Sequence, residues 1–108
     1  IGLETLLSAA LRLHHASQIG LVPLLKALTA NPAAILGLPG GKLEKDAPAD
    51  VIQVDLEARW IVDKEKILSR AKNTPFDERP VQGRVMATIV GGRTIYRDDS
   101  FVTAAAAA

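Results

Sequence analysis

Val81-Gln82-Gly83-Arg84-Val85-Met86-Ala87-Thr88-Ile89-Val90-Gly91-Gly92-Arg93-Thr94-Ile95-Tyr96 is the stretch that decides the fold. Val81, Val85, Ile89 and Val90 lie in one β-prone run and residues 93–96 form a second. Gly91-Gly92 between them supplies two positions that tolerate positive φ, so the spacing predicts a β-hairpin. Working upstream, residues 51–56 carry β-branched side chains in partial alternation and predict a strand. Residues 60–62 predict a second short strand beyond a polar bend at residues 57–59. Asp63 is placed to cap one helical turn running to Leu68. Residues 69–80 hold Pro75 and Pro80 and show no periodicity, which predicts a loop.

The other half of the chain reads differently. Leu3, Leu6, Leu7, Ala10, Leu11 and His14 recur at helical spacing with no Gly or Pro between them, predicting a helix from Leu3 to His15. Leu21, Leu24, Leu25 and Leu28 follow Gly20, with Pro23 in the first turn where a missing N–H is tolerated; this predicts a shorter helix ending near Ala30. Asn31 is placed to cap a third helix, with Pro32 at its first position and Gly37 just past its end. Pro39, Gly40 and Gly41 mark a boundary near residues 37–41.

Helices first and strands second predict an α+β fold. The β half offers only four short strands, whereas a stable open sheet needs a covered face and managed edges. The chain also opens on Ile1 within an amphipathic pattern and closes on an alanine run at residues 104–108, so the reading expects a piece of a larger protein.

The 108 residues are 48% hydrophobic and 23% charged, enough for one small core and unlike collagen-like, coiled-coil or disordered chains. Thirteen Lys plus Arg against twelve Asp plus Glu, scattered along the chain, give no electrostatic footprint for nucleic acid. The absence of Cys excludes disulfides, thiolate metal sites and cysteine nucleophiles from this stretch, and a cytoplasmic location fits. Glu4, Arg12, His14 and His15 interrupt the first apolar run well short of the roughly 20 residues that span a bilayer, so no membrane segment is expected.

No residue set in the chain makes an active site by itself. His14 and His15 are adjacent on a helix, point about 100° apart and lack a third ligand, so a structural or solvent-facing role is expected rather than a metal site. Ser8 has no nucleophile-elbow context and reads as a plain helical serine. The carboxylates of Asp98-Asp99 and of residues 44–46 read as solvated surface. Gly37, Gly40 and Gly41 lack the Gly-Lys-Ser/Thr ending of a phosphate loop, because Leu43 follows Lys42, and so read as a chain turn. Lys72-Asn73-Thr74-Pro75-Phe76 reads as a loop held down by Phe76.

Taken in order, four motifs resemble the C-terminal part of bacterial-type dihydroorotases of the amidohydrolase superfamily. They are Gly2-Leu3-Glu4-Thr5-Leu6-Leu7; Leu28-Thr29-Ala30-Asn31-Pro32-Ala33 with Leu36-Gly37-Leu38; Gly41-Lys42-Leu43 with Ala47-Pro48-Ala49-Asp50-Val51-Ile52 and Asp55; and Lys72-Asn73-Thr74-Pro75-Phe76 with Gly83-Arg84-Val85 and Thr88-Ile89-Val90-Gly91-Gly92-Arg93. The resemblance covers residues 1 to about 97. Allantoinases and hydantoinases share the Asn-Pro-Ala turn and the Ala-Asp exit, while Thr5 and Thr74 favour dihydroorotase. Two departures stand out: Ser8 where many relatives carry Pro, and Asp46 where the exit turn usually has Gly; Asp tolerates the left-handed conformation better than most residues.

The resemblance implies a (β/α)8 barrel that uses zinc to interconvert N-carbamoyl-L-aspartate and dihydroorotate in pyrimidine synthesis. Residues 1–38 would be the C-terminal helical part of the barrel, 39–97 strands of a small composite β-sandwich, and 98–108 a tail that could be helical. The family's metal ligands and substrate-binding residues all precede the first helix here, so the resemblance implies no catalytic, substrate-binding or metal residue in this chain. Gly2 and Glu4 would come nearest to the site, Glu4 more simply as an acidic residue at a helix N-terminus. The implied partners are a small-molecule substrate and the rest of the parent chain, with a homodimer compatible. A non-catalytic, dihydroorotase-like structural partner is the alternative from another class. Alone, the piece is expected to be inactive and to self-associate.

Overall fold

The structure, a computed structural model, describes residues 2–99. Three helices, α1 (Leu6–His15), α2 (Leu21–Leu28) and α3 (Ala30–Leu36), precede three strands, β1 (Val51–Ile61), β2 (Pro80–Val90) and β3 (Arg93–Arg97), in a sheet of order β1-β2-β3. The chain divides into two compact units: Ile1–Ile19 with Asp55–Arg84, and Gly20–Val54 with Val85–Ala108. The α+β expectation agrees with this element order.

In the first unit α1 is a regular helix, and only part of its leucine stripe is buried. Thr5, Ser8 and Leu11, three residues apart, are the buried positions, whereas Leu3, Leu6 and Leu13 are exposed. Polar Thr5 and Ser8 can be buried because each has local or cross-chain hydrogen bonds: the Thr5 N–H donates to the Gly2 carbonyl at 3.3 Å, and Ser8 Oγ donates to the Gly83 carbonyl at 2.8 Å. Of the apolar stripe Leu11 is fully buried and Leu7, Ala10 and His14 are half-buried, so hydrophobic periodicity finds the helix, with its start at Leu6 rather than Leu3, but not the burial of Thr5 and Ser8.

The core of this unit is Val62, Ile67 and Val81, with Trp60 and Phe76 packed against it. The Val62 N–H donates to the Arg79 carbonyl at 3.1 Å and the Val62 carbonyl accepts from the Glu78 N–H at 2.8 Å, so the loop is stitched to the end of β1. The expected cap at Asp63 is present: its Oδ1 accepts from the Glu65 N–H at 3.0 Å and starts a single 3-10 turn, Lys64–Lys66. The two strands expected at 51–56 and 60–62 are one strand, because residues 57–59 continue the extended backbone instead of bending. Val54, Leu56, Ala58 and Trp60 alternate as the more buried positions. Ala58 is too small to signal that face in the sequence.

In the second unit α2 and α3 pack as neighbours, with Leu24 and Ala33 buried. Thr29, not Asn31, occupies the N-cap of α3, and its side chain makes no capping bond; the Thr29 Oγ1 donates back to the Leu25 carbonyl at 2.6 Å. Asn31 therefore lies inside the first turn. Gly37 ends α3 in the left-handed conformation at φ 67°, as its position predicts. Gly41, at φ 84°, sits so close to α3 that a Cβ there would lie 2.9 Å from the Thr29 carbonyl.

The predicted hairpin is present. Gly91 and Gly92 both have positive φ, as a type I′ turn requires, and Val90 pairs with Arg93. The register slips by one between Thr88↔Tyr96 and Ile89↔Thr94, leaving Ile95 as the extra residue of a bulge. Asp50 Oδ1 accepts from the Gly91 N–H at 2.8 Å and the Ala49 carbonyl from the Gly92 N–H at 3.1 Å, which anchors the turn to the segment entering β1. The alanine run, expected as a tail, lies outside the described residues.

Candidate functional site

The chemistry-bearing residues singled out in the sequence fall at separate places. Glu4 precedes α1, and its Oε2 accepts a 2.8 Å hydrogen bond from the Leu68 N–H, 64 residues away. Its observed work is to tie a loop, a role that a first-turn acidic residue does not disclose in sequence. Gly2 supplies the carbonyl that receives both the Thr5 N–H and the Thr5 Oγ1.

His14 and His15 are half-buried, with ring centroids 5.5 Å apart and planes tilted by 51°. His14 Nδ1 and His15 Nε2 are buried without a hydrogen-bond partner among the described residues. Among the described residues no group of three or more His, Asp or Glu converges to hold a metal. A zinc ion needs three or four ligands, so these residues do not fit the ion that the sequence resemblance implies, and no metal-dependent step is assigned to them.

Ser8 is buried against Gly83, whose carbonyl also accepts from Trp60 Nε1 at 2.9 Å; the guanidinium of Arg84 lies 5.3 Å from the Trp60 ring centroid. This cluster is a packing node. Asp98 is a correction: expected on the solvated surface, it is only 9% exposed, its N–H donates to the Met86 carbonyl at 2.8 Å and its Oδ1 accepts from the Tyr96 hydroxyl at 3.5 Å. Glu44 is exposed and pairs with Lys42 at 3.0 Å. Asp46 has φ 68°, the left-handed geometry that the sequence reading allowed for at this turn.

The loop at residues 72–76 is held down as expected. Phe76 packs on the Val62 cluster, the Phe76 N–H reaches Thr74 Oγ1 at 3.3 Å, and Lys72 Nζ donates to the Ile67 carbonyl. Beside Phe76 the first unit has an open pocket of about 740 Å3 that also takes in Arg12, His15, Arg59, Arg79 and Gln82. Sequence reasoning missed it because the three arginines come from a helix, a strand and a loop end, with no local motif joining them.

Compared with solved proteins, the fold is that of part of the hydantoinases. It superposes on a D-hydantoinase with a TM-score of 0.79 at 17% identity, over 89% of this chain and 21% of that one. It also superposes on the L-hydantoinase (dihydropyrimidinase) of Arthrobacter aurescens with a TM-score of 0.72 at 28% identity, over 77% of this chain and 19% of that one.

In sequence the likeness is to dihydroorotases. The chain is 44% identical over 100 residues to a dihydroorotase of Wolbachia sp. subsp. Drosophila simulans, covering 93% of this chain and 23% of that protein. It is 46% identical over 97 residues to a dihydroorotase of Syntrophotalea carbinolica, covering 90% and 23%. The chain thus spans less than a quarter of the length of these relatives. No family model matches it.

Proposed function

We propose that this chain is the C-terminal part of a dihydroorotase, a cyclic amidohydrolase that opens and closes the dihydroorotate ring. The observation that carries the reading is 44% identity to a dihydroorotase sustained over 93% of the chain. In this reading residues 1–38 supply closing helices of the barrel, 39–97 supply strands of the small sandwich, and the remainder of the parent supplies the catalytic centre. Zinc in that centre would activate the attacking water, and the protein would work in the cytoplasm on a small-molecule substrate.

The chain's own residues act as scaffold. Glu4 fixes the loop at Leu68 to the start of α1, where Gly2 and Glu4 would follow the last barrel strand. Ser8 and Trp60 converge on the Gly83 carbonyl and hold α1 to the β1 and β2 segments of its unit. Leu3, Ile35, Leu43 and Leu68 are each more than four-fifths exposed, an apolar load that further protein would cover.

Two measurements test this reading. Intact mass of the natural gene product should exceed 11.5 kDa severalfold, toward the ~40–50 kDa of a barrel enzyme with a small second domain. Purified 108-residue chain supplied with zinc should leave dihydroorotate intact, and ring opening by it would contradict the scaffold role.

A further inference from the structure

The pocket beside Phe76 has a chemical character of its own. Arg12 and His15 stand one turn apart on α1 and so share a face. Arg59 comes from β1, and Arg79 from the residue preceding β2, where its carbonyl is fixed by the Val62 N–H. All of them, with Phe76 and Gln82, line the same open concavity of about 740 Å3, and no Asp or Glu among the described residues lines it.

None of Arg12, Arg59 and Arg79 is ion-paired among the described residues. The nearest acidic side chain along β1, Glu57, is engaged by Gln82 Nε2 at 2.8 Å, and Asp77 is engaged by the Lys64 N–H at 3.0 Å. Three arginines lining one concavity with no acidic partner among the described residues leave guanidinium forks that match carboxylate and phosphate oxygens two at a time. Phe76 gives the concavity an apolar wall beside the arginines.

We propose that this pocket binds a small multivalent oxyanion, a ligand bearing two or more negative charges on carboxylate or phosphate groups. The proposal does not rest on the dihydroorotase reading, and its test uses no ring substrate or metal.

The experiment is calorimetric titration of the full chain at fixed ionic strength with inorganic phosphate in one arm and citrate in the other, with chloride as the monovalent control. Saturable binding at one site is the expected result in at least one arm, and the stronger arm identifies the oxyanion class. Arg12→Gln, Arg59→Gln and Arg79→Gln should each weaken it about tenfold, whereas Arg93→Gln on β3, outside the pocket, should leave it unchanged. Circular dichroism confirms that each variant is folded. The proposal is overturned if neither anion saturates a site, or if the folded pocket variants bind as the Arg93→Gln variant does. Absence of any anion binding would assign the three arginines to acidic side chains of other protein.

Discussion

Ser8 Oγ donates a 2.8 Å hydrogen bond to the carbonyl of Gly83, 75 residues further along the chain. Trp60 Nε1 donates to the same oxygen at 2.9 Å, so one backbone acceptor gathers a helix and a strand. Because Ser8 is buried, Ser8→Ala removes a donor without exposing the acceptor to water. A loss of about 1 kcal/mol is expected in denaturant unfolding, since Trp60 still satisfies the oxygen. Combining it with Trp60→Phe orphans the carbonyl and should cost more than the two single changes together.

Gly83 itself admits no side chain. Its φ is +102°, and a Cβ there would overlap Cδ1 of Leu11, a residue with 0% exposure. Gly83→Ala should therefore destabilise by about 3 kcal/mol through strain and overpacking combined. Shortening Leu11 to Ala in the same molecule should recover part of the overpacking and none of the backbone strain, so the pair of changes should be less than additive.

Asp46 offers the opposite sign. It holds φ 68° on the exposed surface, a geometry that costs an L residue and suits glycine. Asp46→Gly should raise the unfolding free energy by about 0.5 kcal/mol, with the glycine's greater unfolded-state freedom setting the upper limit. A thermal midpoint that falls instead would mean that the Asp side chain contributes more than its conformation costs.

Glu4 is exposed, and its bond to the Leu68 N–H is worth little globally. The expected effect of Glu4→Ala is local: amide exchange at Leu68 should accelerate severalfold while the global midpoint shifts by less than about 0.5 kcal/mol equivalent. Unchanged exchange at Leu68 would remove Glu4 from its loop-tying role.

These residues also show what the sequence discloses and what it withholds. The Gly91-Gly92 hairpin, the Asp63 cap and the Gly37 helix stop were legible because each depends on backbone conformations that only a few residue types favour. The burial of Thr5 and Ser8 was not legible. Ser8 is buried with its hydroxyl on the Gly83 carbonyl 75 residues away, and Thr5 with its hydroxyl and N–H on the Gly2 carbonyl, partners that hydrophobic periodicity does not register. The continuity of β1 was hidden by Ala58, and the burial of Asp98 by the polar residues around it. The three-arginine pocket left no signal because its members are 47 and 20 residues apart in sequence (59 − 12 and 79 − 59).

The measurement that tests the central claim most directly is ring opening by the longer protein that contains this chain, zinc-loaded, against dihydroorotate, allantoin and hydantoin in parallel. Turnover of dihydroorotate well above the other two rings is the predicted result. Preference for allantoin or hydantoin, or no turnover of any ring by metal-replete protein, would contradict the dihydroorotase reading.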